Sequence, residues 1–65
     1  MPPPNDGMLP FVWNGDLYEI YHANGRIARV FVTYDNTNTT ATELDLPDIS
    51  LELLHKLEDR INLNK

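Results

Sequence analysis

Residues 18–34 read YEIYHANGRIARVFVTY, and this stretch decides the fold. Two runs of aromatic and β-branched residues flank Asn24-Gly25. A two-residue type I′ turn needs positive φ at both central residues, and Asn-Gly supplies it at the lowest cost. Tyr18–Ala23 and Arg26–Tyr34 are therefore expected to form a β-hairpin. The same dipeptide recurs at Asn14-Gly15, with Leu9-Pro10-Phe11-Val12-Trp13 before it. That adds a strand ahead of the hairpin. Pro10 has no N–H to give a ladder, so the added strand belongs at a sheet edge.

Asp35–Thr39 is turn chemistry, and Thr40–Leu46 (TATELDL) alternates again as a fourth strand. Pro47 ends it. From Ile49 the period changes to that of a helix. Ser50 is a good N-cap, Ile49 and Leu54 can form a hydrophobic staple across it, and Leu54, Leu57 and Ile61 recur at helical spacing beside Leu53. The order is β-β-β-β-α: an α+β domain with a four-stranded antiparallel meander and one C-terminal amphipathic helix. Residues 1–8 form a Pro-rich lead-in and residues 9–65 the single domain. Pro2-Pro3-Pro4 favours an extended, polyproline-like start.

Two-residue turns fix register, and register fixes faces. Uninterrupted pairing about Asn24-Gly25 sets Ala23 against Arg26, His22 against Ile27, Ile20 against Arg29 and Tyr18 against Phe31. Pairing about Asn14-Gly15 sets Trp13 against Asp16 and Phe11 against Tyr18. One face then carries Leu9, Phe11, Trp13, Tyr18, Ile20, His22, Ile27, Arg29 and Phe31. The other carries Val12, Leu17, Glu19, Tyr21, Ala28, Val30, Val32 and Tyr34. An even-length third turn adds Leu44 and Leu46 to the first face, and Glu43 and Asp45 to the second. The first face is the bulkier, so the helix is expected there, with Leu54, Leu57 and Ile61 against Phe11, Ile20, Phe31 and Leu44. Arg29 on that face requires a partner, which Glu52 or Asp48 near the helix start can supply, or else it reaches past the sheet edge into water. An Arg29 exposed among Tyr18, Phe31 and Trp13 would mean the faces are exchanged.

One short helix covers one sheet face. A chain of 65 residues buries only about 60% of the surface it exposes unfolded, so its core is marginal. With no cysteine there is no disulfide or thiolate metal site to reinforce it. Association is the remaining support, and the second face is its expected seat. The expected partner-binding residues are Val12, Leu17, Glu19, Tyr21, Val30, Val32, Tyr34, Glu43 and Asp45. The expected function is a non-catalytic protein–protein interaction module acting through the open sheet face as a homodimer; a basic-surfaced protein is the other partner considered. Under that reading Val30→Asp weakens self-association. The plain alternative is a partly solvated sheet whose Val and Tyr residues serve strand propensity alone.

Ten acidic and five basic residues give a net charge of −5. Scattered basic residues cannot neutralise a phosphate backbone, which argues against direct nucleic-acid binding. The acidic excess concentrates in residues 33–65, with seven acids and three bases (−4) against three and two (−1) in residues 1–32. A second reading is therefore a small acidic inhibitor or nucleic-acid mimic seated in a basic groove. A third is an accessory subunit of a larger, possibly viral, assembly anchored by the Pro-rich segment. Solubility alone also accounts for the charge.

No apolar run approaches the ~20 residues of a membrane span, and the N-terminus resembles no signal peptide, so a cytoplasmic location is expected. Asn38-Thr39-Thr40 matches a glycosylation sequon and is read as a turn. His22 and His55, the latter with Asp59 one helical turn on, lack the spacing of a metal motif. Asp35–Asn38 resembles the start of a calcium loop but lacks the later ligand and the glycine. Ser50 serves better as a cap than as a nucleophile. Glu43 and Asp45 share a strand face but need a pocket to act as an acid/base pair. No cofactor and no catalytic residue is expected.

Overall fold

The computed structural model describes residues 7–36 and 40–63. Residues 1–6, the sequon asparagine and the centre of the third turn lie outside them; Gly7 and Met8, expected in the Pro-rich lead-in of residues 1–8, already belong to the first strand. Four strands form one antiparallel sheet in sequential order: β1 (Gly7–Trp13), β2 (Asp16–Ala23), β3 (Arg26–Thr33) and β4 (Thr42–Leu44). A 3₁₀ turn at Tyr34–Asn36 leaves β3, and another at Leu46–Asp48 leads to helix α1 (Leu51–Leu63). The α+β meander with its C-terminal helix is thus as the sequence implies. The fourth strand is shorter than the TATELDL alternation suggested: Thr40 and Ala41 precede the ladder, and the chain turns at Leu46–Asp48 soon after Leu44.

Both Asn-Gly turns adopt the required backbone. Asn14 and Gly15 have φ of 53° and 81°, and Asn24 and Gly25 have 56° and 76°. Trp13 meets Asp16, Phe11 meets Tyr18, and Leu9 meets Ile20, as uninterrupted pairing about the first turn demands. β1 is an edge strand. Pro10 offers no N–H there, and its carbonyl accepts a hydrogen bond from Arg60 Nε at 3.2 Å, which ties the end of α1 to the edge.

The second hairpin departs from simple alternation. Ala23 pairs with Arg26 and His22 with Ile27, but Tyr21 then faces Arg29. One residue of β3, Ala28, is extra. This β-bulge exchanges the two faces for the remainder of the strand. Ile20 therefore meets Val30 and Tyr18 meets Val32, in place of Arg29 and Phe31. The energetic reason is clear. Unbroken alternation would bury the Arg29 guanidinium in the core, at a cost of several kcal/mol without close pairing. Leaving one ladder position unpaired at a small exposed alanine costs far less.

The core lies between the sheet and α1. Leu9, Tyr18, Ile20, Val30 and Val32 of the sheet pack with Leu53, Leu57 and Ile61 of the helix, and Ile20, Val30 and Leu57 are completely inaccessible. Phe11, Trp13, Ile27, Leu44 and Ile49 close the margins. The buried helical stripe is Leu53–Leu57–Ile61, one position off the Leu54–Leu57–Ile61 expectation. The Ser50 cap holds: its Oγ accepts the Leu53 N–H at 3.2 Å. Leu44 joins the core face opposite Val30, and Glu43 points the other way opposite Phe31. The third turn is nevertheless odd in length, with residues 33–41 between the paired Val32 and Thr42, and not even as expected; this offsets the bulge at Ala28, so Leu44 still reaches the core face.

Candidate functional site

The uncovered sheet face is laid out in three rows by the register. Met8, Tyr21 and Arg29 form the first. Pro10, Glu19, Phe31 and Glu43 form the second, and Val12, Leu17 and Thr33 the third. No described element packs over them. Met8 and Tyr21 keep about two-fifths of their surface, at 42% and 41%, and Val12 keeps 56%. Glu19, Leu17 and Phe31 are half-buried by their neighbours.

Four side chains in these rows hold one another. Arg29 donates from Nε and Nη2 to the two carboxylate oxygens of Glu43, at 2.9 and 2.8 Å. Its guanidinium carbon sits 5.1 Å from the Phe31 ring centroid. Tyr21 meets Phe31 edge-on, with centroids 5.5 Å apart and planes at 76°. Such two-pronged pairing favours both charged forms: Glu43 is held below the ordinary carboxylate range, and the Arg29 guanidinium is held above its own. The depressed Glu43 pKa means that the pair's stabilising contribution is present above the unfolded-state value and is lost as pH falls through the folded one. The pair is exposed, so it orders the surface more than it holds the fold together. A guanidinium and two rings already locked in place lose little side-chain freedom when another surface closes on them.

The residues expected at this face divide into three groups. Val12, Leu17, Glu19, Tyr21 and Glu43 lie on it. Val30 and Val32 do not: the bulge at Ala28 turns them under the helix. Tyr34 and Asp45 lie beyond the strand ends, both exposed. The surface instead gains Arg29 and Phe31, which alternation had assigned to the core. Glu52 and Asp48 are not partners of Arg29; Glu43 is.

On the helix side, Gly25, Arg26, Ile27, Leu46, Leu54, Glu58 and Ile61 line an open groove of about 440 Å³. It sits where β4 stops short of covering the start of β3. Leu54 and Leu46, expected in the core, line this groove. It holds one carboxylate and one guanidinium on an apolar floor, with no second acid or base beside them.

His22 is buried, and its Nδ1 has no hydrogen-bond partner among the described residues. A buried polar atom without a partner forfeits roughly 1–3 kcal/mol. His22→Leu is accordingly expected to leave stability unchanged or raise it by about 1 kcal/mol, read as the urea midpoint. His55 and Asp59 are exposed on the helix. Among the described residues no three His, Cys, Asp or Glu side chains gather as metal ligands, and no helix is long and apolar enough to cross a membrane. The Tyr18 phenol is pushed up by burial, then by Asp16 and Tyr34. Asp16 also accepts the backbone N–H of Asp35 at 2.8 Å, holding that residue at a φ of 60°.

Fold and surface together define a two-layer α+β protein: a helix covers one side of a meander, and an ordered aromatic–arginine cluster occupies the other. Compared with protein family models, curated proteins and solved structures, the chain shows no significant match.

Proposed function

We propose that this chain is a non-catalytic protein-interaction module that works through its open sheet face. The observation carrying this reading is the Tyr21–Phe31–Arg29–Glu43 cluster, ordered by its own contacts on a surface that no described element covers. Tyrosine and arginine are the residues most enriched where a few side chains dominate binding. A sheet about four strands wide and six residues long offers roughly 400 Å² per partner. A complex burying that area on both sides sits at the small, weak and readily reversed end of protein interfaces.

The test is a random-peptide display selection against the full chain. Enriched peptides are expected to bind wild type and to lose binding to Phe31→Asp. Peptides that bind both equally, or that compete only with changes in the groove near Leu54, would remove the sheet face as the working surface.

A further inference from the structure

We infer that the partner of the sheet face presents a basic side chain flanked by apolar ones, and that it docks over Glu19. This rests on the sheet-face reading above and adds the chemistry of the occupant. Glu19 stands at the middle of the face, between Pro10 and Phe31 in its row, and it is half-buried. No described residue forms an ion pair with it. The one cation in the three rows, Arg29, already gives both prongs to Glu43. Arg26 pairs with Ala23 at the hairpin end, outside the three rows, and also borders the groove at the sheet edge.

The three rows thus hold two carboxylates and one guanidinium, and that count limits what can cover them. A second copy would bring another two carboxylates and one guanidinium. A pair closed over these rows, with the Arg26 side chains outside it, would desolvate one uncompensated carboxylate per chain. Removing a charge from water without a counter-charge is among the most unfavourable steps in association. A partner bringing one Lys or Arg satisfies Glu19 and leaves the Arg29–Glu43 pair intact. Apolar residues on either side of that cation would meet Val12 and Leu17 on one flank and Met8 and Tyr21 on the other. The overall charge of −5 steers the same class of partner toward the molecule.

The experiment is an NMR titration of the full chain with two short synthetic peptides, one alternating lysine with valine and one alternating glutamate with valine. Saturable shifts at Glu19, Tyr21 and Phe31 are expected with the lysine peptide, at about tenfold higher affinity than with the glutamate peptide. Glu19→Gln is expected to erase that preference and Glu19→Arg to reverse it. Equal binding of both peptides on this face would overturn the basic partner while the face itself stands. Shifts confined to other surfaces, or no saturable shift, would overturn both. Sedimentation of the unliganded chain is the companion measurement. A stable dimer broken by Phe31→Asp would assign the face to a second copy and overturn the basic partner.

Discussion

Val30→Asp is expected to unfold the protein, whereas the same substitution one residue later, Phe31→Asp, is expected to leave it folded. Val30 is completely inaccessible between the sheet and α1. An aspartate there has no counter-charge and costs about 4 kcal/mol or more. A domain of this size has only about 3–5 kcal/mol to lose. Phe31 lies on the open face, and its replacement gives up two exposed contacts, the edge-on one with Tyr21 and the one with the Arg29 guanidinium. Its loss is expected to be about 1 kcal/mol. Far-UV circular dichroism and the dispersion of an amide NMR spectrum distinguish the two outcomes. Simple alternation from the Asn24-Gly25 turn forecasts the reverse ranking, so this pair of variants tests the bulge at Ala28 directly.

The second large effect is expected at Leu57. It is the one helical side chain with no accessible surface, and it meets the centre of the sheet. Leu57→Ala removes three buried carbons and leaves a void, for a loss of about 3 kcal/mol. In a domain this small that lowers the melting temperature by on the order of 15 °C. Leu63, 82% exposed on the same helix, is the control. Leu63→Ala is expected to change stability by no more than about 0.5 kcal/mol. Thermal melts of the three proteins provide the comparison. A Leu57→Ala protein as stable as wild type would mean that the helix does not seal the core.

The elements set by local chemistry were legible in the sequence. Asn14-Gly15 and Asn24-Gly25 each demand a particular backbone, and both adopt it. Ser50 offers a hydroxyl to the first turn of a helix whose apolar stripe is only one position from where periodicity put it. Two counts departed from expectation: one residue is inserted at Ala28, and the third turn is odd in length, which brings Leu44 back to the core face. Alternation is a cumulative count, so one unpaired alanine reverses every later assignment in its strand. That is why Val30 and Val32 were placed on the open face, and Arg29 and Phe31 inside. The signal was present nonetheless: the alternating register required a guanidinium in the core. Moving the count by one at Ala28 removes that charge and lines up Ile27, Val30 and Val32 as an all-aliphatic inner set. The pairing of Arg29 with Glu43, fourteen residues away, depends on where β4 docks against β3, and no local pattern encodes that. The bulge thus decided both the core and the candidate site.

The lock on β1 has a consequence for growth. An open strand edge is a template on which further strands can polymerise without limit. Here the middle of that edge is stoppered, because Pro10 contributes no donor and Arg60 occupies its acceptor. The opposite edge, β4, is only three residues long. Fibre-like extension is therefore disfavoured at both margins, and a surface that joins through the flat of the sheet is used up once it is covered. A partner taken on the proposed sheet face would therefore give countable complexes rather than open-ended filaments.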